Sequence, residues 1–172
     1  MKKLLLSALV ILGFTAVSFG QAAVTKTASV SASVLTAIDM TKNLDLQFGS
    51  FAHGVGGTVT IAANSAGDRT ASGPILYNSG TTQVSSAKFT VTGDANHSFT
   101  IGLPADNTKS ITTGGESPST MALNFTSSPA AGTATLDGSG NSIIYVGAVL
   151  QVAATQAAGA YTGTFDVTVN YN

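Results

Sequence analysis

From Val24 onward, apolar and polar residues alternate with a period of two along most of the chain, and short clusters of Gly, Asn, Asp, Ser and Pro interrupt the alternation. A period of two is the mark of half-buried β-strands, whose successive side chains point to opposite faces. The pattern predicts strands at 26–35, 44–48, 58–62, 69–76, 87–92, 98–103, 121–126, 143–152 and 161–171. The clusters between them include Gly54-Val55-Gly56-Gly57, Ser65-Ala66-Gly67-Asp68, Asn78-Ser79-Gly80, Gly93-Asp94-Ala95-Asn96, Thr113-Gly114-Gly115 and Asp137-Gly138-Ser139-Gly140-Asn141. Such residues tolerate positive φ or hydrogen-bond their own backbone, so each cluster is a turn. Many short strands at this spacing predict an all-β sandwich or barrel.

The first residues follow a different rule. Lys2 and Lys3 precede the apolar run Leu4, Leu5, Leu6, Ala8, Leu9, Val10, Ile11 and Leu12, and small residues follow up to Ala23. This is the layout of a secretory signal peptide over residues 1–22, with cleavage between Gly20 and Ala23. The run is shorter than the ~20 apolar residues that span a bilayer, which argues against stable membrane insertion. One domain over residues 23–172 is the expected division, with an N-terminal strand or arm at about 24–35. The protein is expected to be exported, passing through the periplasm to the cell surface or beyond.

Composition narrows the chemistry. Only 9% of the 172 residues are charged, and there is no cysteine and no tryptophan. Average domains carry roughly a quarter charged residues, so most groups used for acid-base catalysis are missing. Without cysteine, an exported chain has neither a disulfide framework nor a site for a lipid thioether. The net charge of −1 offers no basic field for nucleic acid. His53 and His97 stand singly in turn-like sequence with no partner at metal-ligand spacing. Asp137-Gly138-Ser139-Gly140-Asn141 lacks the acidic closer of a calcium loop and is expected to be a hairpin turn. Neither an enzyme nor a cofactor is expected.

The informative segments are the two ends of the mature chain. At the C-terminus, Tyr161, Phe165, Val167, Val169 and Tyr171 fall on one face, with Gly163 among them, while Thr162, Thr164, Asp166, Thr168 and Asn170 fall on the other. A strand that keeps full alternation to the end of the sequence is expected to be tied down by a neighbour. At the other end, Val24, Ala28, Val30, Ala32 and Val34 alternate with hydroxylated residues. That segment suits either the first strand of its own sheet or an arm that completes a neighbour's sheet.

Leu46-Gln47-Phe48-Gly49-Ser50-Phe51, then Phe89-Thr90-Val91-Thr92-Gly93 followed by Phe99-Thr100-Ile101-Gly102-Leu103-Pro104, and finally Ala158-Gly159-Ala160-Tyr161 with Val167-Thr168-Val169-Asn170-Tyr171 carry a resemblance. Together they resemble the spore coat protein U and archaic chaperone-usher pilin group. They are more similar still to an uncharacterised domain family of bacterial exported proteins with the same tail. Penultimate Tyr171 and Gly159, fourteenth from the end, match the C-terminal signature of chaperone-usher pilins. The resemblance implies an immunoglobulin-like sandwich that lacks its last strand. It implies a periplasmic chaperone and an outer-membrane usher as partners, and self-association into a fibre. Ala28, Val30, Ala32 and Val34 would then be the donor strand. Gly159, Tyr161, Phe165, Val167, Val169 and Tyr171 would form the acceptor and chaperone edge. The alternative is a self-contained secreted sandwich whose loops near Gly54, Asp106 and Asp137 bind a glycan or a protein.

Overall fold

The computed structural model describes residues 22–77 and 83–172, so the expected signal peptide at 1–22, but for its last residue, and the expected turn at Asn78-Ser79-Gly80 lie outside the described residues. The chain divides into two units, Met1–Ser33 and Val34–Asn172. In the first, the described residues are exposed and carry no strand. The expected strand at 26–35 is therefore absent from the chain's own ladders. Its small alternating side chains lack the bulk to hold a strand to a sheet without a neighbour that buries them.

The second unit is all-β, with no helix among the described residues. Its strands are β1 (Asp39–Leu44), β2 (Phe51–Ala52), β3 (Gly57–Ile61), β4 (Arg69–Ser72), β5 (Ile75–Leu76), β6 (Ala87–Thr92), β7 (Ser98–Gly102), β8 (Lys109–Thr112), β9 (Thr120–Ser128), β10 (Gly132–Thr135), β11 (Asn141–Val152) and β12 (Thr168–Tyr171). Every pairing is antiparallel.

β11 is the spine. Along one edge it pairs first with β6, from Asn141↔Thr92 to Val146↔Ala87, and then with β3, from Ala148↔Ile61 to Val152↔Gly57. Along the other edge it pairs with β9 over Tyr145–Leu150. β1 extends the sheet beyond β6, β4 beyond β3 and β8 beyond β9. The change of partner falls at Gly147, where a β-carbon would overlap the Ile61 carbonyl oxygen. Glycine is needed there because two strands meet end to end against the spine.

A smaller sheet, β10-β7-β12, faces the large one. Phe99 and Ile101 of β7 and Ala134 of β10 share one buried cluster with Val59, Ile61, Phe89, Val91, Leu123, Ile144, Val146 and Leu150 of the large sheet. Two antiparallel sheets closed over a common apolar core make a β-sandwich. The alternation read from the sequence places these residues correctly: inward positions on β6 are Ala87, Phe89 and Val91, and on β11 the even positions from Ile144 to Val152.

Differences from the expected elements have local causes. The run 69–76 breaks at Gly73-Pro74 into β4 and β5, because Pro lacks the ladder N–H and Gly73 sits at φ 97°. The segment 44–48 is mostly not strand; it keeps a single bridge, Gln47↔Ser85, while the true strand precedes it. β8 and β10, short and rich in hydroxyls, carry little apolar alternation and went unpredicted. Asp137 does form a tight turn, accepting from the N–H groups of Ser139 and Asn141 at 2.8 Å each. That turn is a corner between β10 and β11, which lie in different sheets, and not a hairpin.

Two substitutions check this arrangement. Ile144→Ala, at a fully buried site on the spine, is expected to cost about 2–5 kcal/mol in denaturant unfolding. Gly147→Ala is expected to cost about 1–3 kcal/mol although it adds only a methyl group, because the overlap is with backbone that cannot rotate away.

Candidate functional site

The C-terminal segment 159–171 passes from one sheet to the other. Thr162 exchanges both main-chain hydrogen bonds with Thr112 of β8, at 2.9 and 3.0 Å, and so belongs to the large sheet's edge. From Thr168 the chain joins the small sheet as β12, with Thr168↔Gly102 and Tyr171↔Phe99 in register. Gly163 lets the crossing lie close against β8: a β-carbon there would stand 2.8 Å from the Ser110 carbonyl oxygen.

The alternation expected here holds along the whole segment. Tyr161, Phe165, Val167, Val169 and Tyr171 are half-buried and pack on the core, while Thr162, Thr164, Asp166, Thr168 and Asn170 are exposed. Phe165 lies against Phe125 of β9, ring centroids 4.6 Å apart and tilted by 31°. None of the inward residues of this segment reaches the full burial of the other core strands. The segment covers the core edge from one side only.

Its outer side is open. Successive residues of a strand direct their main-chain groups to opposite edges. Thr162 bonds to β8 and Asn172 N–H donates to Ser98 O at 3.2 Å, so the even residues at both ends turn toward their neighbours. The main-chain groups of Tyr161, Gly163, Val169 and Tyr171 point the other way. Among the described residues those of Tyr161 and Gly163 form no backbone hydrogen bond.

An open groove of about 1040 Å³ lies against the first part of this edge. Residues 156–165 form one wall and residues 45–53 the other. The floor is Ile111, Met121 and Leu123, from β8 and β9. Of the expected acceptor residues, Gly159, Tyr161 and Phe165 line the groove, Val167 and Val169 continue the strip beyond it, and Tyr171 closes the far end. The expected donor residues Ala28, Val30 and Ala32 belong to the first unit; Val34 opens the second and is 96% exposed.

Tyr171 is held by more than its ring. Its hydroxyl accepts from Asp94 N–H at 2.6 Å and donates to Thr36 O at 2.9 Å, so one side chain ties β12 to the β6–β7 turn and to the segment before β1. The ring meets His97 edge-on at 6.1 Å. Gly93 is required beneath it, since a β-carbon there would overlap the hydroxyl. His97 Nδ1 stands 3.1 Å from Asp94 Oδ2, and His53 Nδ1 lies 3.0 Å from Gly54 O at the groove's rim.

Gln156 was not marked by any pattern in the sequence. Its Nε2 donates to Ser119 Oγ at 2.7 Å and Thr120 O at 3.2 Å and lies 2.8 Å from the Tyr161 hydroxyl, which donates to Ala157 O at 2.7 Å. These bonds fix the loop that enters the groove wall. Among the described residues no cluster of three or more His, Cys, Asp or Glu side chains could hold a metal ion, and no helix is long and apolar enough to cross a membrane. An apolar floor between two walls, one with unpaired ladder groups, is suited to hold an extended chain.

A protein-family model described as a domain of unknown function (DUF4402) matches residues 38–171. No curated protein and no solved structure matches the chain.

Tyr171→Phe tests the clasp at the end of the edge. It keeps the ring and leaves the part-buried Asp94 N–H without its acceptor, so unfolding stability is expected to fall by about 1–3 kcal/mol. For a chain of this size that is several degrees in melting temperature, measurable by calorimetry.

Proposed function

We propose that this chain, which belongs to the DUF4402 family, is a non-enzymatic structural subunit of a bacterial surface fibre or coat, assembled by β-strand complementation. In this reading it is an exported immunoglobulin-like sandwich without its last strand. A periplasmic chaperone covers the edge at 161–171 first, an outer-membrane usher delivers the subunit, and the 24–35 arm of a second copy replaces the chaperone. The observation that carries the reading is the open edge at Tyr161 and Gly163 beside an apolar groove, in a chain whose own N-terminal apolar residues Val30 and Val34 are each 96% exposed.

Three physical points support it. An exposed ladder edge is an aggregation hazard that exported proteins cover. The arm and the edge match in length, since at ~3.4 Å per residue the 12 residues of the arm extend about 41 Å and the 11 of the edge about 37 Å. Burying Val30 and Val34 contributes about 1.5–3 kcal/mol each before ordering costs, with smaller additions from Ala28 and Ala32. The ladder hydrogen bonds supply the rest of the affinity and the alternate side chains the register.

The reading is tested with Val30→Asp combined with Val34→Asp. Both side chains are in solvent in the single chain, so its unfolding should move by no more than about 0.5 kcal/mol. Oligomer ladders that resist unheated detergent electrophoresis should be lost. Ladders that survive the double substitution, or a wild-type chain that refolds unaided and stays monomeric at high concentration, would sink the proposal.

A further inference from the structure

The wall opposite the C-terminal edge changes sheets as well, and a single side chain spans the change. Gln47 bridges Ser85 beside β6, whereas Phe51 pairs with Leu76 of β5. Between them the chain kinks at Gly49, whose φ is 67°. A kink of this kind interrupts the ladder: among the described residues Phe48 O accepts no backbone hydrogen bond and Ser50 O accepts one, from Tyr77 N–H, so both can take further donors.

Arg69, on β4 at the edge of the large sheet, supplies them. Its Nη1 donates to Phe48 O at 2.6 Å and to Ser50 O at 3.1 Å, one carbonyl on each side of Gly49. Its Nη2 donates to Tyr77 O at 3.0 Å, directly after β5, the strand that pairs with the wall beyond the kink. Tyr77 N–H in turn donates to Ser50 O at 3.1 Å. The planar guanidinium, with several donors in a fixed fork, can hold these carbonyls at once, whereas an ammonium group presents its donors from one point. Arg69 is also the only arginine in the chain.

We infer that Arg69 is the positioning residue of the groove, holding the kinked wall at 48–50 so that the groove stays open to an incoming strand. The inference rests on the reading of the groove as a strand-complementation site. Arg69 itself does not line the groove; it acts through Phe48 and Ser50, which do.

The test titrates a fluorescent synthetic peptide with the sequence of residues 24–35 into the full chain at low concentration and follows anisotropy. Wild type should bind saturably. Arg69→Lys keeps the charge but not the fork, and should weaken binding about tenfold, as expected when fewer charge-assisted hydrogen bonds hold the wall and the open groove is less populated. Gly49→Ala, which strains the same kink without touching the guanidinium, should weaken binding in the same direction. Ile144→Val, at the core and away from the wall, should lower the melting temperature and leave affinity unchanged, which separates positioning from general stability. Wild-type affinity in Arg69→Lys would overturn the inference. If the wild-type chain binds no peptide, the groove reading itself fails. Amide exchange at 48–51 then decides the clamp: acceleration of about tenfold in Arg69→Lys is expected, and unchanged rates would refute it.

Discussion

β11 lends both of its edges to the rest of the large sheet, and the groove exists because of how it does so. A strand has two edges, and over 145–150 both are occupied, by β9 on one side and by β6 or β3 on the other. Placing β6 and β3 end to end on one edge commits the chain to a close approach at Gly147 and to two flanking strands, β1 and β4, that terminate the sheet. The large apolar side chains of the spine and its neighbours then present one continuous face, which the second sheet and the segments that border it bury.

The groove is bordered by two segments that each cross between sheets. One crosses at Gly49, between the bridge to Ser85 and the pairing with β5; the other crosses at Gly163, between the bridge to Thr112 and β12. Crossing segments cannot hydrogen-bond along their full length to either sheet. Their free main-chain groups and the half-buried residues Tyr161 and Phe165 therefore have the same origin. The groove lies where these two crossing segments border the apolar core.

Among the described residues, side-chain hydrogen bonds to backbone hold these irregular stretches. Lys42–Asp45 and Lys109–Asp166 lie in solvent, where such pairs contribute little. Arg69, Gln156 and Tyr171 instead make hydrogen bonds to backbone where the ladders stop. In a chain with 9% charged residues, each of these three polar groups serves a particular break in the sheets.

Much of the fold was legible in the sequence. Period-two alternation identified the inward faces of β3, β6, β7, β9 and β11 and of the C-terminal segment, because burial on one face of a sheet forces that pattern on any sequence. The same alternation at 24–35 did not make a strand, since alternation describes a surface that can be buried and not the presence of a partner that buries it. The apolar strip from Tyr161 to Tyr171 was legible as a face, but its division between two sheets was not. The opposite wall, Arg69 and Gln156 could be recognised as parts of one site only in three dimensions: Arg69 meets carbonyls 19 and 21 residues before it and 8 after it, a relation with no period. What the sequence determined by itself was the class of structure and which side of each strong strand is apolar. The tertiary structure decided which edges stay unpaired, because pairing depends on which strands meet, and strand alternation is indifferent to that choice.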